Sequence, residues 1–155
     1  MKIQIRKSVF ETNSSSTHAL SISSDSLNEI PTKLVFTLGK FGWECETYMD
    51  VKSKASYIWT YICYMEENLE KWKKYLTKVC KEAGVKEVEF VEPTGCYYID
   101  HCSALSDFML DMKNAKLLKK FLFCSDSGIE TGNDNDDEEV SAPSKHILKE
   151  YYKGN

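Results

Sequence analysis

The feature that most limits how this chain can fold is an apolar stripe through its middle third. Val51, Ala55, Ile58, Ile62, Met65, Leu69, Trp72, Leu76, Val79 and Ala83 follow one another in alternating steps of four and three. Residues at that spacing share one face of an α-helix, so the stretch is predicted to be helical and to bury that face. One unbroken helix over 51–83 would run about 50 Å at 1.5 Å per residue, which is long for a compact domain. A break near Asn68 is the equal alternative, and Gly84 is a natural stop. A coiled coil is the rival reading, but Trp59, Tyr61 and Tyr64 crowd other faces and favour packed helices.

On either side of this centre the pattern changes to a period of two. "KIQIRKSVF" alternates at Ile3, Ile5 and then Val9, and "HALSIS" alternates again through Leu20 and Ile22. The two are expected to pair as an N-terminal hairpin across a Ser-rich connection. "KLVFTLG", "GWECETY", "VKEVEFVE" and "CYYID" read as further short strands, with Trp43, Cys45 and Thr47 on one face of the second. Ser103 would cap a helix through Met112, and Asn114 would restart it through Lys120 before a strand at "FLFCS". "SKHILKEYY" reads as a closing helix. This order predicts an α+β fold. Its sheet is mainly antiparallel with an N-terminal hairpin, and helices at 51–83 and about 103–120 pack on one face.

Length and composition set the class. A chain of 155 residues with 42% hydrophobic and 12% aromatic content is expected to fold as one domain, 1–155. Between Phe121 and Ser144 there is no Lys or Arg, while Asp126, Glu130, Asp134, Asp136, Asp137, Glu138 and Glu139 accumulate. With Gly128 and Gly132 among them, an acidic, mobile loop is expected around 126–143. The net charge of -4 argues against general nucleic-acid binding, which needs clustered cations. No apolar run reaches the roughly 18 residues that cross a bilayer, so no membrane partner is expected. Six cysteines without a CxxC pair or an opening signal segment read as reduced thiols, which implies a cytoplasmic location.

The densest chemistry lies in "FETNSSSTH", Phe10 to His18. Runs of Asn and Ser make turns whose backbone N–H groups form an anion-binding nest, and the hydroxyls add donors. Glu11, Asn13, Ser14, Ser15 and Ser16 are the candidate ligand-binding residues here, with Arg6 supplying positive charge just upstream. His18 would donate, accept or exchange a proton near neutral pH. The plain alternative is a wide hairpin turn in which these groups only satisfy backbone partners. Asp100 and His101 form a second candidate at a strand end, where they would act with His18 if the fold joins them.

"SDSGIETGNDND" is the third candidate, and its carboxylates suit hard cations. It breaks the calcium-loop pattern, because Glu139 stands where glycine is needed, so no metal site is expected. The phosphate-loop, dinucleotide, nucleophile-elbow and zinc-protease motifs are all missing, and no cofactor is specified. A serine hydrolase from Ser14, Ser15 or Ser16 with His18 and Asp100 has nothing to specify it. An ADP-ribosyltransferase sketched from Arg6, the serines, Glu87 and Glu89 is weaker still.

"RKSVFETNSSSTHAL" resembles the opening of a family of small, mostly uncharacterised proteins of bacteriophages and low-GC Gram-positive bacteria. R-x-x-V-F-E-T-N-S-S-S-x-H recurs there near the N terminus. "FGWE", "IDH" and "IETGNDN" are similar to later segments of such proteins. The resemblance implies a phage or prophage setting rather than a reaction, and it draws Asn133 and Asp134 into the candidate site. The resulting expectation is a phage-type accessory protein with a polar pocket for a phosphate-bearing small molecule or nucleotide. The alternatives are an acidic inhibitor that binds a host protein through its surface, and a virion or assembly component.

Overall fold

The computed structural model describes residues 3–6, 16–23, 26–42, 44, 46–99, 113–133 and 148–154. The protein is α+β, with helices set against a mainly antiparallel sheet. The strands are β1 (Ile3–Arg6), β2 (Ser16–Ser23), β3 (Lys33–Phe36), β4 (Lys40–Phe41), β5 (Thr47–Tyr48), β6 (Glu87–Phe90), β7 (Tyr98–Ile99), β8 (Gly128–Asn133) and β9 (Leu148–Gly154). The helices are α1 (Val51–Met65), α2 (Leu69–Ala83) and α3 (Ala115–Phe123).

The apolar stripe forms two helices, broken at Asn68 as the shorter alternative requires. Glu66 leaves helical geometry after α1, and the Asn68 side chain accepts the Lys71 N–H at 3.1 Å to start α2. Gly84 closes α2 at φ 116°, the left-handed conformation that glycine reaches without strain. The stripe does not bury evenly. Leu76 and Val79 of α2 are enclosed, whereas Met65 at the end of α1 is 58% exposed.

Helix α1 is the centre of the core, because Lys54 through Ile62 are all buried and it has no solvent face over those turns. Tyr57 reaches the sheet at His18, while Trp59 lies against Phe90 of β6 with ring centroids 4.9 Å apart. The two-stranded parallel pair β3–β6 carries Phe36 stacked on Phe90, and a second short pair joins β4 to β7. Trp59 is fixed by its indole N–H, which donates to the Val91 carbonyl at 2.9 Å.

The five-stranded sheet runs β1-β9-β2-β8-β5. β1 and β2 share this sheet, as their alternation predicts, but they are not a hairpin. β9 lies between them, parallel to β1 and antiparallel to β2. Within the segment expected to be a closing helix, Leu148–Tyr152 is strand instead, since β9 supplies backbone partners to both neighbours, and the residues before it lie outside the described ones. β2 is interior, and its two faces differ in lining. His18, Leu20 and Ile22 are buried on one face, and Ala19 and Ser21 on the other.

Three further expectations change. "FLFCS" is not a strand: Phe121, Leu122 and Phe123 end α3, which Asn114 caps by accepting the Lys116 and Leu117 N–H groups. Part of the expected acidic loop, Gly128–Asn133, is an ordered strand between β2 and β5. "GWECETY" contributes only Thr47–Tyr48, with Trp43 and Cys45 outside the described residues. The predicted helix at 103–112 and the acidic residues beyond Asn133 also lie outside them.

Candidate functional site

Strand directions bring several sequence candidates to one end of the sheet. β2 starts at Ser16, and Ser16 is paired with Asn133, the last residue of β8. β1 ends at Arg6, paired with Lys153 near the end of β9. Thus the chain leaves β1 and re-enters at β2 on the same sheet end where β8 finishes. Glu11, Asn13, Ser14 and Ser15 belong to that connection, and Asp134 directly follows β8; these five lie outside the described residues. So do Asp100 and His101, including any cleft they would share with His18.

The register lines up one row across this end: Arg6 with Lys153, Lys153 with Ala19, Ala19 with Glu130, and Glu130 with Thr47. Since strands are spaced by about 4.8 Å, two cationic positions stand roughly 10 Å or more from Glu130 along the row. Strand alternation turns Ile129 and Thr131 to the α1 side and Glu130 to the opposite face. β5 is clamped to β8 at this point. The Thr131 N–H donates to the Glu46 carbonyl at 2.9 Å, and the Glu46 N–H donates to Thr131 Oγ1 at 3.1 Å.

Glu130 was visible in the sequence only as one acid among many. In the structure its Oε2 is buried without a hydrogen-bond partner, and burial pushes the carboxyl up to about 7. Its row neighbours Ala19 and Thr47 carry no charge, and Gly128 and Gly132 flank it on its own strand. The signal that would have found it is the period-two pattern of "GIETGN", which sets Glu130 apart from Ile129 and Thr131.

His18 lies in the core, held between β2 and α1. Its side chain is fully buried on the α1 side, with Nδ1 2.6 Å from Tyr57 Oη and Nε2 3.0 Å from the Gly42 carbonyl oxygen. A carbonyl can only accept, so Nε2 carries the proton and, in the neutral ring, Nδ1 accepts from the Tyr57 hydroxyl. Both ring nitrogens are therefore used to join β2, α1 and the 40–42 segment. These contacts make His18 a core hydrogen-bonding group.

Other candidates are likewise accounted for. Glu87 and Glu89 are exposed on β6 and pair with Lys33 of β3 at 3.7 and 2.7 Å, away from the five-stranded sheet. Tyr48 is raised to about 12 by burial and by Glu44, whose carboxylate accepts its hydroxyl at 3.1 Å. Cys80 is pushed up to about 12 by burial alone, which makes it an inert core thiol. No helix among the described residues is long and apolar enough to cross a membrane. No protein-family model, curated protein or solved structure matches this chain.

Proposed function

We propose that this protein binds a phosphate-bearing small molecule, a nucleotide being the simplest case, at the sheet end that carries Arg6, Ser16 and Asn133. The observation that supports this reading is the Ser16–Asn133 register. It sets the Ser-rich connection beside the strand end that continues into Asp134, with Arg6 and Lys153 in a row three residues along the strands from it. Consecutive Ser and Asn backbone N–H groups suit phosphate oxygens, and a nearby guanidinium adds charge-assisted bonds. In the phage or prophage setting that the N-terminal resemblance implies, such a protein would act as an accessory factor that captures a host metabolite.

Calorimetry with ATP and with inorganic phosphate tests this. Arg6→Ala and Ser15→Ala are expected to weaken binding at least about tenfold each, the loss of roughly 1.4 kcal/mol per charge-assisted contact. His18→Ala is unsuitable as a probe, because it removes a core hydrogen-bonding group. If neither ATP nor phosphate binds the wild-type protein, the reading fails. The acidic segment from Asp134 to Glu139 would then be tested as a host-protein surface.

A further inference from the structure

We propose that the outer face of α2, with the adjoining side of α3, binds nucleic acid through its phosphate backbone without reading base sequence. The surface uses none of the sheet-end residues and stands whether or not that site takes a phosphate ligand.

The observation behind it is a separation of charge. α2, α3 and Lys113, just before α3, hold nine of the chain's 20 Lys and Arg, but of its 24 acids only Glu70 and Glu82. The net charge of -4 averages over that separation and hides it. On α2, Lys71, Lys74, Lys78 and Lys81 are all exposed and follow one another at steps of three, four and three. That spacing puts them on one helix face, opposite the enclosed Leu76, Val79 and Cys80. α3 lies alongside, because Lys119 meets Glu82 at 3.0 Å, and Lys116 is exposed one turn earlier.

The two acids do not cancel the row. Glu70 pairs with Lys73, which also holds Glu92. Glu82 is divided between Lys119 and Lys78, the latter at 4.0 Å. Lys71, Lys74, Lys81 and Lys116 have no carboxylate partner among the described residues. At physiological salt the field of an exposed charge is largely screened beyond about 8 Å, so acids farther off leave the row cationic.

The arrangement selects among polyanions. The row spans about 15 Å at 1.5 Å per residue, which matches roughly four phosphates on one strand of a duplex at 3.4 Å each. Lysines are flexible point charges that suit phosphates better than base edges. Neither helix contains an Arg, Asn or Gln that could make bidentate contacts with bases, and the flanking Asn68 and Asn114 are taken up as caps. An anionic membrane fits less well. Among the described residues the exposed large hydrophobics are Ile30, Tyr64, Met65, Val91 and Tyr98, all off these two helices, so the lysine face has no apolar side chain to insert.

Fluorescence anisotropy with labelled DNA duplexes of two unrelated sequences tests the inference. Wild type is expected to bind both alike and to lose about 100-fold in affinity between 50 mM and 200 mM salt, as roughly four phosphate contacts require. The triple variant Lys71→Gln, Lys74→Gln, Lys81→Gln changes only exposed side chains and is expected to lose about three quarters of that salt dependence. Lys40→Gln, at an exposed position on β4, is expected to bind as wild type does. No binding at 50 mM salt, or the same salt dependence in wild type and the triple variant, overturns the inference. A preference of more than about tenfold for one sequence overturns it too, since base contacts are worth that much. So does binding to phosphatidylserine vesicles as tight as binding to DNA, which would assign the face to a membrane surface.

Discussion

Lys54 offers the sharpest physical test of this fold. It lies on α1 with no exposed surface, and its ammonium donates to the Cys124 carbonyl at 2.8 Å and the Ser127 carbonyl at 3.0 Å. Cys124 is the C-cap of α3, so the cation stands at the negative end of that helix dipole. The same turn is tied by the Asn28 and Glu29 N–H groups, both donating to the Phe123 carbonyl at 3.0 Å. Burial is the largest influence on Lys54 and lowers its pKa from 10.5 to about 8, despite Glu29, Asp50 and Asp126 nearby. A drop of that size means that holding the charge inside costs about 3 kcal/mol relative to the unfolded chain.

The sign follows directly. Between about pH 8 and 10.5 the unfolded chain binds more protons at this residue than the native one, so stability rises with pH. The contribution is fully present above 10.5 and is lost as pH falls through about 8. From pH 7 to pH 9 the gain is about 1 kcal/mol, or roughly 3 °C in Tm for a domain of this size. Cys63, Cys80 and Tyr48 are all raised by burial and act in the opposite direction at higher pH, so wild type alone is not enough.

The assay is therefore urea unfolding at pH 7, 8 and 9, under reducing conditions, on wild type and Lys54→Met. At pH 7 the variant should be equal to wild type or up to about 3 kcal/mol less stable, because relief of the buried charge offsets all or part of the loss of two hydrogen bonds worth about 1.5–3 kcal/mol each. By pH 9 wild type should have gained about 1 kcal/mol on the variant. Parallel stability curves across this range would refute the reasoning.

Two other substitutions probe the packing around the sheet. Tyr57→Phe removes the hydroxyl that bonds His18 Nδ1 and is expected to cost about 1–3 kcal/mol in chemical denaturation, so an unchanged midpoint would show that this buried bond contributes nothing to stability. Gly128→Ala places a methyl group against the Met49 sulfur and 2.9 Å from the Tyr48 carbonyl oxygen. A loss of about 1–3 kcal/mol is expected, with Met49→Ala restoring only part of it because the backbone oxygen remains. Full recovery in the double variant would show that the β5–β8 contact yields easily.

How much of this was legible in the sequence depended on the range of the forces involved. Helix periodicity, the Asn68 start, the Gly84 stop and the Asn114 cap are decided within a few residues, and all are readable as spacing and side-chain chemistry. The alternation of β2, β3 and β6 is local in the same way. The apolar run at Phe121–Phe123 is too short for periodicity to separate strand from helix, and the cap upstream together with burial on three sides settled it as helix.

Strand neighbours are a different matter. Residues 148–154 pair between β1 and β2 because those strands need backbone partners, and nothing within "LKEYYKG" records that need. The two most informative ionisable residues exchanged roles for the same reason. A histidine in a polar run became a core hydrogen-bonding group, and one acid among many came to hold one carboxyl oxygen buried without a hydrogen-bond partner. The sequence alone set which segments are helical or extended and how they are capped. Tertiary structure alone decided which face of each strand is covered, because burial and hydrogen-bond satisfaction are properties of the assembled layers.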